Sequence, residues 1–273
     1  LRSSILISWD NVNYVIDCGP DFRQQMLREN IRSIDGVLFT HEHSDHTAGI
    51  DDLRPYCFQL GEVPVYLDKL TLKSLEQRFQ YIFAIENRYP SAPRIQINMV
   101  DSNQFMLNNI KVIPIKALHG ELPITCYRFN NFAYLTDVKT ISSIEKNKLK
   151  NLDLLIVNAL RIEEHPTHFN LEEALAFVDE IKPKNFLSLC KHHANGPLSE
   201  GWHILLSDGS VQQASFSTLN RYWMDQSYKG ISPLKSRKAP KVPKEKHSEY
   251  CKTALKQLDG TKNMWATQER KPD

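Results

Sequence analysis

Gly36-Val37-Leu38-Phe39-Thr40-His41-Glu42-His43-Ser44-Asp45-His46 decides how this chain is read. An apolar run, Gly36 to Phe39, delivers three imidazoles and a carboxylate within six positions. Alternate residues of an extended segment point the same way, so His41 and His43 converge on one ion. A turn of the chain then swings Asp45 and His46 toward a second position nearby. Two positions so close suggest a dinuclear centre, with ions ~3.5–4 Å apart. Imidazole with carboxylate suits Zn²⁺, Mn²⁺ or Fe²⁺ and disfavours Ca²⁺ and Mg²⁺. The H-E-x-x-H pattern of the zincins does not fit, because Asp45 stands where its second histidine belongs.

The 273 residues make one large or two small domains, and an apolar fraction of 41% is enough for a core. No apolar stretch approaches the ~18 residues needed to span a bilayer, and no secretory signal opens the chain. The five cysteines (Cys18, Cys57, Cys126, Cys190, Cys251) form no C-x-x-C pair. An odd, scattered set argues for a reducing compartment, hence a cytoplasmic protein. The net charge of +2 hides a split: residues 229–273 hold 12 Lys and Arg against 5 Asp and Glu, the first 228 residues 22 against 27. The body is acidic and lacks an interleaved basic-aromatic patch, which counts against nucleic acid as a partner. The Lys- and Pro-rich tail, 229–273, reads as disordered.

Working outward, Ser4–Trp9 and Asn13–Asp17 read as a hairpin turning at Asp10-Asn11. Helices are expected over 20–29, 46–53, 70–83, 141–149 and 170–181. Asn170 would accept from first-turn amides of the last of these, with Glu172 and Glu173 at its positive end. Strands fall over 34–39, 63–67, 95–100, 105–107, 110–115, 125–129, 132–135, 154–157 and 186–190. Strands both adjacent and separated by helices predict mixed sheets covered by helices, an α/β sandwich. Beyond residue 196 the pattern decays, so 197–228 reads as a divergent segment.

A closed two-metal site needs further ligands. His119 sits where the strand over 110–115 gives way to a loop, Asp137 follows the strand over 132–135, and His192 and His193 follow the strand over 186–190. Each lies at a carboxyl end of a strand, where sites of open α/β sheets cluster. Asp137 could bridge two ions. Taken alone, a histidine after a strand is more often a satisfied polar group, and a lone Asp a turn residue; the first motif is what turns these into ligand candidates.

His41-x-His43-x-Asp45-His46, then His119, then Asp137, in this order, resembles the metallo-β-lactamase superfamily. Ile16-Asp17-Cys18-Gly19-Pro20-Asp21-Phe22-Arg23, His46-Thr47-Ala48-Gly49-Ile50-Asp51-Asp52-Leu53-Arg54 and Asn158-Ala159-Leu160-Arg161 with His165-x-x-His168-Phe169 resemble its phosphoribosyl 1,2-cyclic phosphate phosphodiesterase branch. The resemblance covers residues 1 to about 196 and implies an αββα sandwich of mixed sheets. It implies one ion on His41, His43 and His119, a second on Asp45, His46 and the last histidine, His193, and Asp137 bridging. Asp17 would prop the histidine loop. His168 would touch the phosphate or protonate the leaving oxygen, which imidazole does near neutral pH, and Asp45 stands with it among the catalytic groups. Arg54, Arg161 and His165 are substrate-side candidates, although Arg pairs with any carboxylate and His165 would also serve as a helix cap. The cofactors implied are two divalent ions, Zn²⁺ or Mn²⁺, and the partner a small phosphodiester, with no membrane.

The chain departs from the family in two places. The opening strand and Gly-rich loop that normally precede the hairpin are missing, which leads us to expect an unpaired sheet edge. At the final ligand, Cys190 stands where a first histidine is usual, although His193 and Gly196 match. A shift of reading frame in the coding DNA near residues 188–196 would produce such a break. The reading is therefore a metal-dependent hydrolase of a phosphodiester, in particular a small cyclic phosphate. Its alternatives are an RNA-processing nuclease or thioesterase on the same fold, and a truncated inactive remnant.

Overall fold

The computed structural model describes residues 4–161, 163–192, 201–206, 211–214 and 220–223. They form two compact units divided between Asn103 and Gln104, and the strand Asn220–Trp223 belongs to the first.

The first unit opens on the expected hairpin, β1 (Ile5–Trp9) and β2 (Val12–Ile16), paired from Ile5 opposite Ile16 to Trp9 opposite Val12. Asp10 and Asn11 both take positive φ, 42° and 66°. That is the two-residue turn whose twist matches the strands, and Asp and Asn tolerate it. From β2 the chain passes through α1 (Phe22–Arg28) to β3 (Gly36–Leu38), then α2 (Ser44–Thr47), a 3₁₀ turn over Ile50–Leu53 and α3 (Arg54–Leu60) to β4 (Val63–Leu67). α4 (Lys69–Arg78) and α5 (Gln80–Phe83) lead to β5 (Ile95–Met99). β2 to β5 run parallel, as helical crossovers require. One helix was expected over 70–83; Phe79, at φ −121° and ψ 44°, breaks it in two. Asp68 caps α4 by accepting from the Thr71 amide at 2.9 Å.

The outer edge of β1, where unpaired backbone was expected, carries Asn220–Trp223 in parallel register, from Ile5 opposite Asn220 to Ser8 opposite Trp223. An edge strand presents a row of N–H and C=O groups that any extended segment can pair; here the chain's own later segment does so. Leu6, Val15, Phe22, Val37, Phe39 and Val65 are buried in one apolar cluster beneath the crossover helices.

The second unit runs β6 (Phe105–Leu107), β7 (Ile110–His119), β8 (Leu122–Phe129), β9 (Phe132–Leu135), α6 (Ser143–Asn147), β10 (Leu154–Ala159), α7 (Leu171–Ile181), β11 (Asn185–His192), β12 (Gly201–Leu206) and β13 (Val211–Ala214). Its sheet order is β13-β12-β11-β10-β9-β8-β7-β6. β9, β10 and β11 are parallel to one another and the other pairs antiparallel, so this sheet is mixed. β7 and β9, two antiparallel steps apart, point the same way. Ile115, Leu135, Leu155, Val157, Leu175 and Val178 form its core.

With Asn220–Trp223 as β14, three strands fall within the segment read as divergent, 197–228. His193 and the tail over 229–273 lie outside the described residues. No described helix is long and apolar enough to cross a membrane.

Candidate functional site

In the first unit the histidine segment leaves β3 and is held by a buried carboxylate from the end of β2. Asp17, fully buried and at φ 62°, accepts from the Thr40 amide and the Thr40 hydroxyl, both at 2.8 Å, and from His46 Nδ1 at 2.7 Å. Asp is among the few residues that enter left-handed geometry readily. Burial pushes the Asp17 carboxyl up, and the His46 and Thr40 donors work against that rise. With an acid on Nδ1, neutral His46 carries its proton there and presents the Nε2 lone pair, the tautomer a metal ligand needs. Thr40 passes the same constraint to His41: its hydroxyl gives its proton to Asp17 and accepts from His41 Nδ1 at 3.0 Å.

His41 Nε2 and His43 Nδ1 lie 3.0 Å apart. Two nitrogens bound tetrahedrally at ~2.0–2.1 Å would lie about 3.3 Å apart. The His41 ring is 4.6 Å from that of His43 and 4.2 Å from that of His46. His43 stands at the N-cap position of α2 without a side-chain hydrogen bond there, and Asp45 and His46 lie in its single turn. The Asp45 side chain is partly exposed, its carboxylate 3.5 Å from His46 Nε2.

Two glycines set how closely the chain wraps this turn. A Cβ on Gly19 would stand 2.0 Å from the Asp45 carbonyl oxygen, and one on Gly49 2.3 Å from that of Gly19. Only a bare backbone allows the Cys18 amide to reach the His46 carbonyl at 2.8 Å and the Gly49 amide that of Cys18 at 2.8 Å.

The second unit carries its own donor set on strand ends that share one direction. His119, the last residue of β7 rather than a loop residue, gives Nδ1–H to the Thr167 carbonyl at 2.6 Å and so presents Nε2. Asp137, buried and at φ 55°, follows β9. Asn158 in β10 accepts from its amide at 2.8 Å and donates to its Oδ1 at 2.9 Å, and Thr136 adds a hydroxyl at 3.1 Å. His168 Nε2 lies 3.7 Å from Asp137 Oδ1. One donor atom each from His119, Asp137 and His168 falls within 4.8 Å of the others, a set that can hold a metal ion.

His165 and His168 meet edge to edge, Nδ1 to Nδ1, at 3.1 Å. The Thr167 amide donates to His165 Nδ1 at 3.3 Å, so that nitrogen is an acceptor and the proton between the rings belongs to His168. Burial, then the charges of His168, Arg161 and Lys139, draw the His165 pKa down, which keeps it neutral.

Arg54 and Arg161 are both engaged locally. Arg54 pairs with Asp51 at 2.7 Å, whose carboxylate also accepts from the Tyr81 hydroxyl at 2.7 Å; Arg161 donates to the Glu164 carbonyl at 2.6 Å. The sequence did not single out the roles of Thr40, Asn158, Thr167 or Arg78. Thr40 and Asn158 border quoted motifs, and polar residues buried at strand ends were the available signal. Arg78 gave none.

The donor chemistry fits a divalent metal: imidazole nitrogens with fixed tautomers and buried carboxylates. Residues 12–189 match the Beta-lactamase superfamily domain model. The crystal structure of a new diphosphatase from the PhnP family is 36% identical with a TM-score of 0.63, covering 69% of this chain and 72% of that one. An octanoyltransferase of Porphyromonas gingivalis is 41% identical over 197 residues, 71% of this chain and 40% of that protein. Exodeoxyribonuclease YycJ of Bacillus anthracis is 28% identical over 180 residues, 59% of this chain and 62% of that protein. The chain thus spans less than two thirds of the length of these last two relatives. A mixed α/β fold of two mixed sheets, this donor set and these matches agree: the chain belongs to the metallo-β-lactamase superfamily of hydrolases, and within it is similar to a PhnP-family diphosphatase.

Proposed function

We propose that the chain is a metal-dependent phosphodiesterase acting on a small cyclic phosphate. The observation that carries this reading is the fixing of each buried histidine through one ring nitrogen: His46 by Asp17, His41 by Thr40, His119 by the Thr167 carbonyl. Imidazoles locked in this way are built to bind metal rather than to fill a core. His41, His43, Asp45 and His46 in the first unit, and His119 and Asp137 in the second, are the ligands we assign to divalent metal, Zn²⁺ or Mn²⁺. His193 would complete the set.

When bound, such ions supply Lewis acidity at phosphorus and lower the pKa of water toward 7. The chain's own part is to orient and to move a proton. A P–O bond forms to the attacking water, which gives up a proton to solvent, as the bond to the leaving alkoxide breaks, and that alkoxide needs a proton. His168, with its Nδ1 proton held by neutral His165, would give one from Nε2, which faces the Asp137 carboxylate. The similarity to a PhnP-family diphosphatase supports a phosphorus substrate, and the acidic body argues against long nucleic acids.

Purified protein should hydrolyse bis(p-nitrophenyl) phosphate, lose that activity to a chelator and regain it with Zn²⁺ or Mn²⁺. Faster turnover of a thioester or of RNA would replace this reading with a same-fold alternative, a thioesterase or an RNA-processing nuclease. His168→Ala should lower kcat by about 10²–10⁴ while two ions per chain remain; loss of an ion would make His168 a ligand instead.

A further inference from the structure

We propose that Arg78 is a positioning residue for the metal-ligating segment, setting the peptides on either side of His43. The inference rests on the metal-centre reading above. Arg78 ends α4, where the helix breaks at Phe79. Its Nη2 donates to the Glu42 carbonyl at 2.6 Å and to Thr47 Oγ1 at 3.0 Å, and its Nη1 reaches Ser44 Oγ at 3.5 Å. Thr47 Oγ1 in turn donates to the His43 carbonyl at 2.8 Å and lies 3.2 Å from that of Glu42.

The geometry divides the work along the motif. Asp17 fixes Thr40 and His46, the first and last residues of Thr40 to His46. Between them the chain is neither strand nor helix until Ser44, and its carbonyls must find donors outside a ladder. Arg78 and Thr47 provide them at Glu42 and His43, the peptides that aim the exposed ligand His43 and lead into Asp45. A guanidinium reaches three acceptors in a planar fork, which an ammonium on a flexible stem does not. Arg78 is exposed, so water can replace its donors at these acceptors and little stability rests on them. The expected signature is therefore weakened metal binding with the fold retained.

The test uses the full chain, with Zn²⁺ affinity read by competition against a chromophoric chelator and the unfolding midpoint of the metal-free protein read alongside. Arg78→Lys and Arg78→Ala should weaken Zn²⁺ binding about 10–100-fold while the metal-free midpoint moves by only a few degrees. Wild-type affinity in both variants overturns the inference and leaves the metal-centre reading standing. A wild-type chain that takes up no Zn²⁺ overturns both. Should Arg78→Ala fail to fold, Arg78→Lys decides: a lowered midpoint with unchanged affinity makes Arg78 a structural tie only, and overturns the inference.

Discussion

Asp17 concentrates more of this protein's chemistry than any ligand does. Three donors converge on its two oxygens with the carboxylate wholly out of water. An amide in its place offers one acceptor oxygen and two donors, so an N–H would face another donor. Asp17→Asn should therefore cost about 1–3 kcal/mol of stability, the range for a buried group left unsatisfied. It should also release the His46 tautomer and weaken metal binding about 10–100-fold. Urea unfolding and chelator competition on the same preparation check both; wild-type values in either would mean that the carboxylate does not set the histidine. Asp137 has a parallel build, left-handed and clasped by Asn158, and the two acids are the bent residues on which the strand ends turn toward chemistry.

At the scale of elements, parallel strands place the functional loops at their carboxyl ends, and the helices between them keep those ends in register. α7 shows how one helix is anchored. Asn170 Oδ1 accepts from the Glu173 amide at 2.8 Å, and Glu173 returns the bond to the Asn170 amide at 2.9 Å, a full capping box. Lys139 holds Glu173 at 2.7 Å, and its donors together keep that carboxyl below its usual range against the opposing effect of burial. The start of α7 directly follows His168 and Phe169. Asn170→Ala should thus lower stability by about 1 kcal/mol, read as a fall in the urea midpoint at unchanged slope. An unmoved midpoint would show the cap to be idle. The single-turn α2 is the opposite case: it has no side-chain cap of its own and depends on Cys18, Gly19 and Arg78 around it.

The whole molecule consists of two units, each with its own sheet, its own apolar core and its own set of nitrogen and oxygen donors. Anything that binds the native state alone stabilises it by mass action. Zn²⁺ held at a hundred times its dissociation constant should add about 2.7 kcal/mol, seen as a rise in the unfolding midpoint that a chelator reverses. A midpoint indifferent to both additions would remove metal from the account of this protein. The stretch that matches the superfamily domain, 12–189, holds every proposed ligand except His193.

The sequence by itself determined the alternation of apolar strands and helices, the Asp10-Asn11 turn, the Asn170 cap and the spacing of His41, His43, Asp45 and His46. These depend on neighbours a few residues apart, where backbone preference and periodicity act directly. The resemblance already put Asp17 behind the histidine loop; tertiary structure alone decided that its partner there is His46 Nδ1, 29 positions away, that the Thr167 carbonyl sets His119 across 48, and that Arg78 reaches back 36 residues to the Glu42 carbonyl. It also decided that the strand Asn220–Trp223 pairs β1. A hydrogen bond to a backbone carbonyl leaves no mark on residue type, and a strand edge accepts any extended partner. Such contacts become visible only when the chain has brought distant segments together.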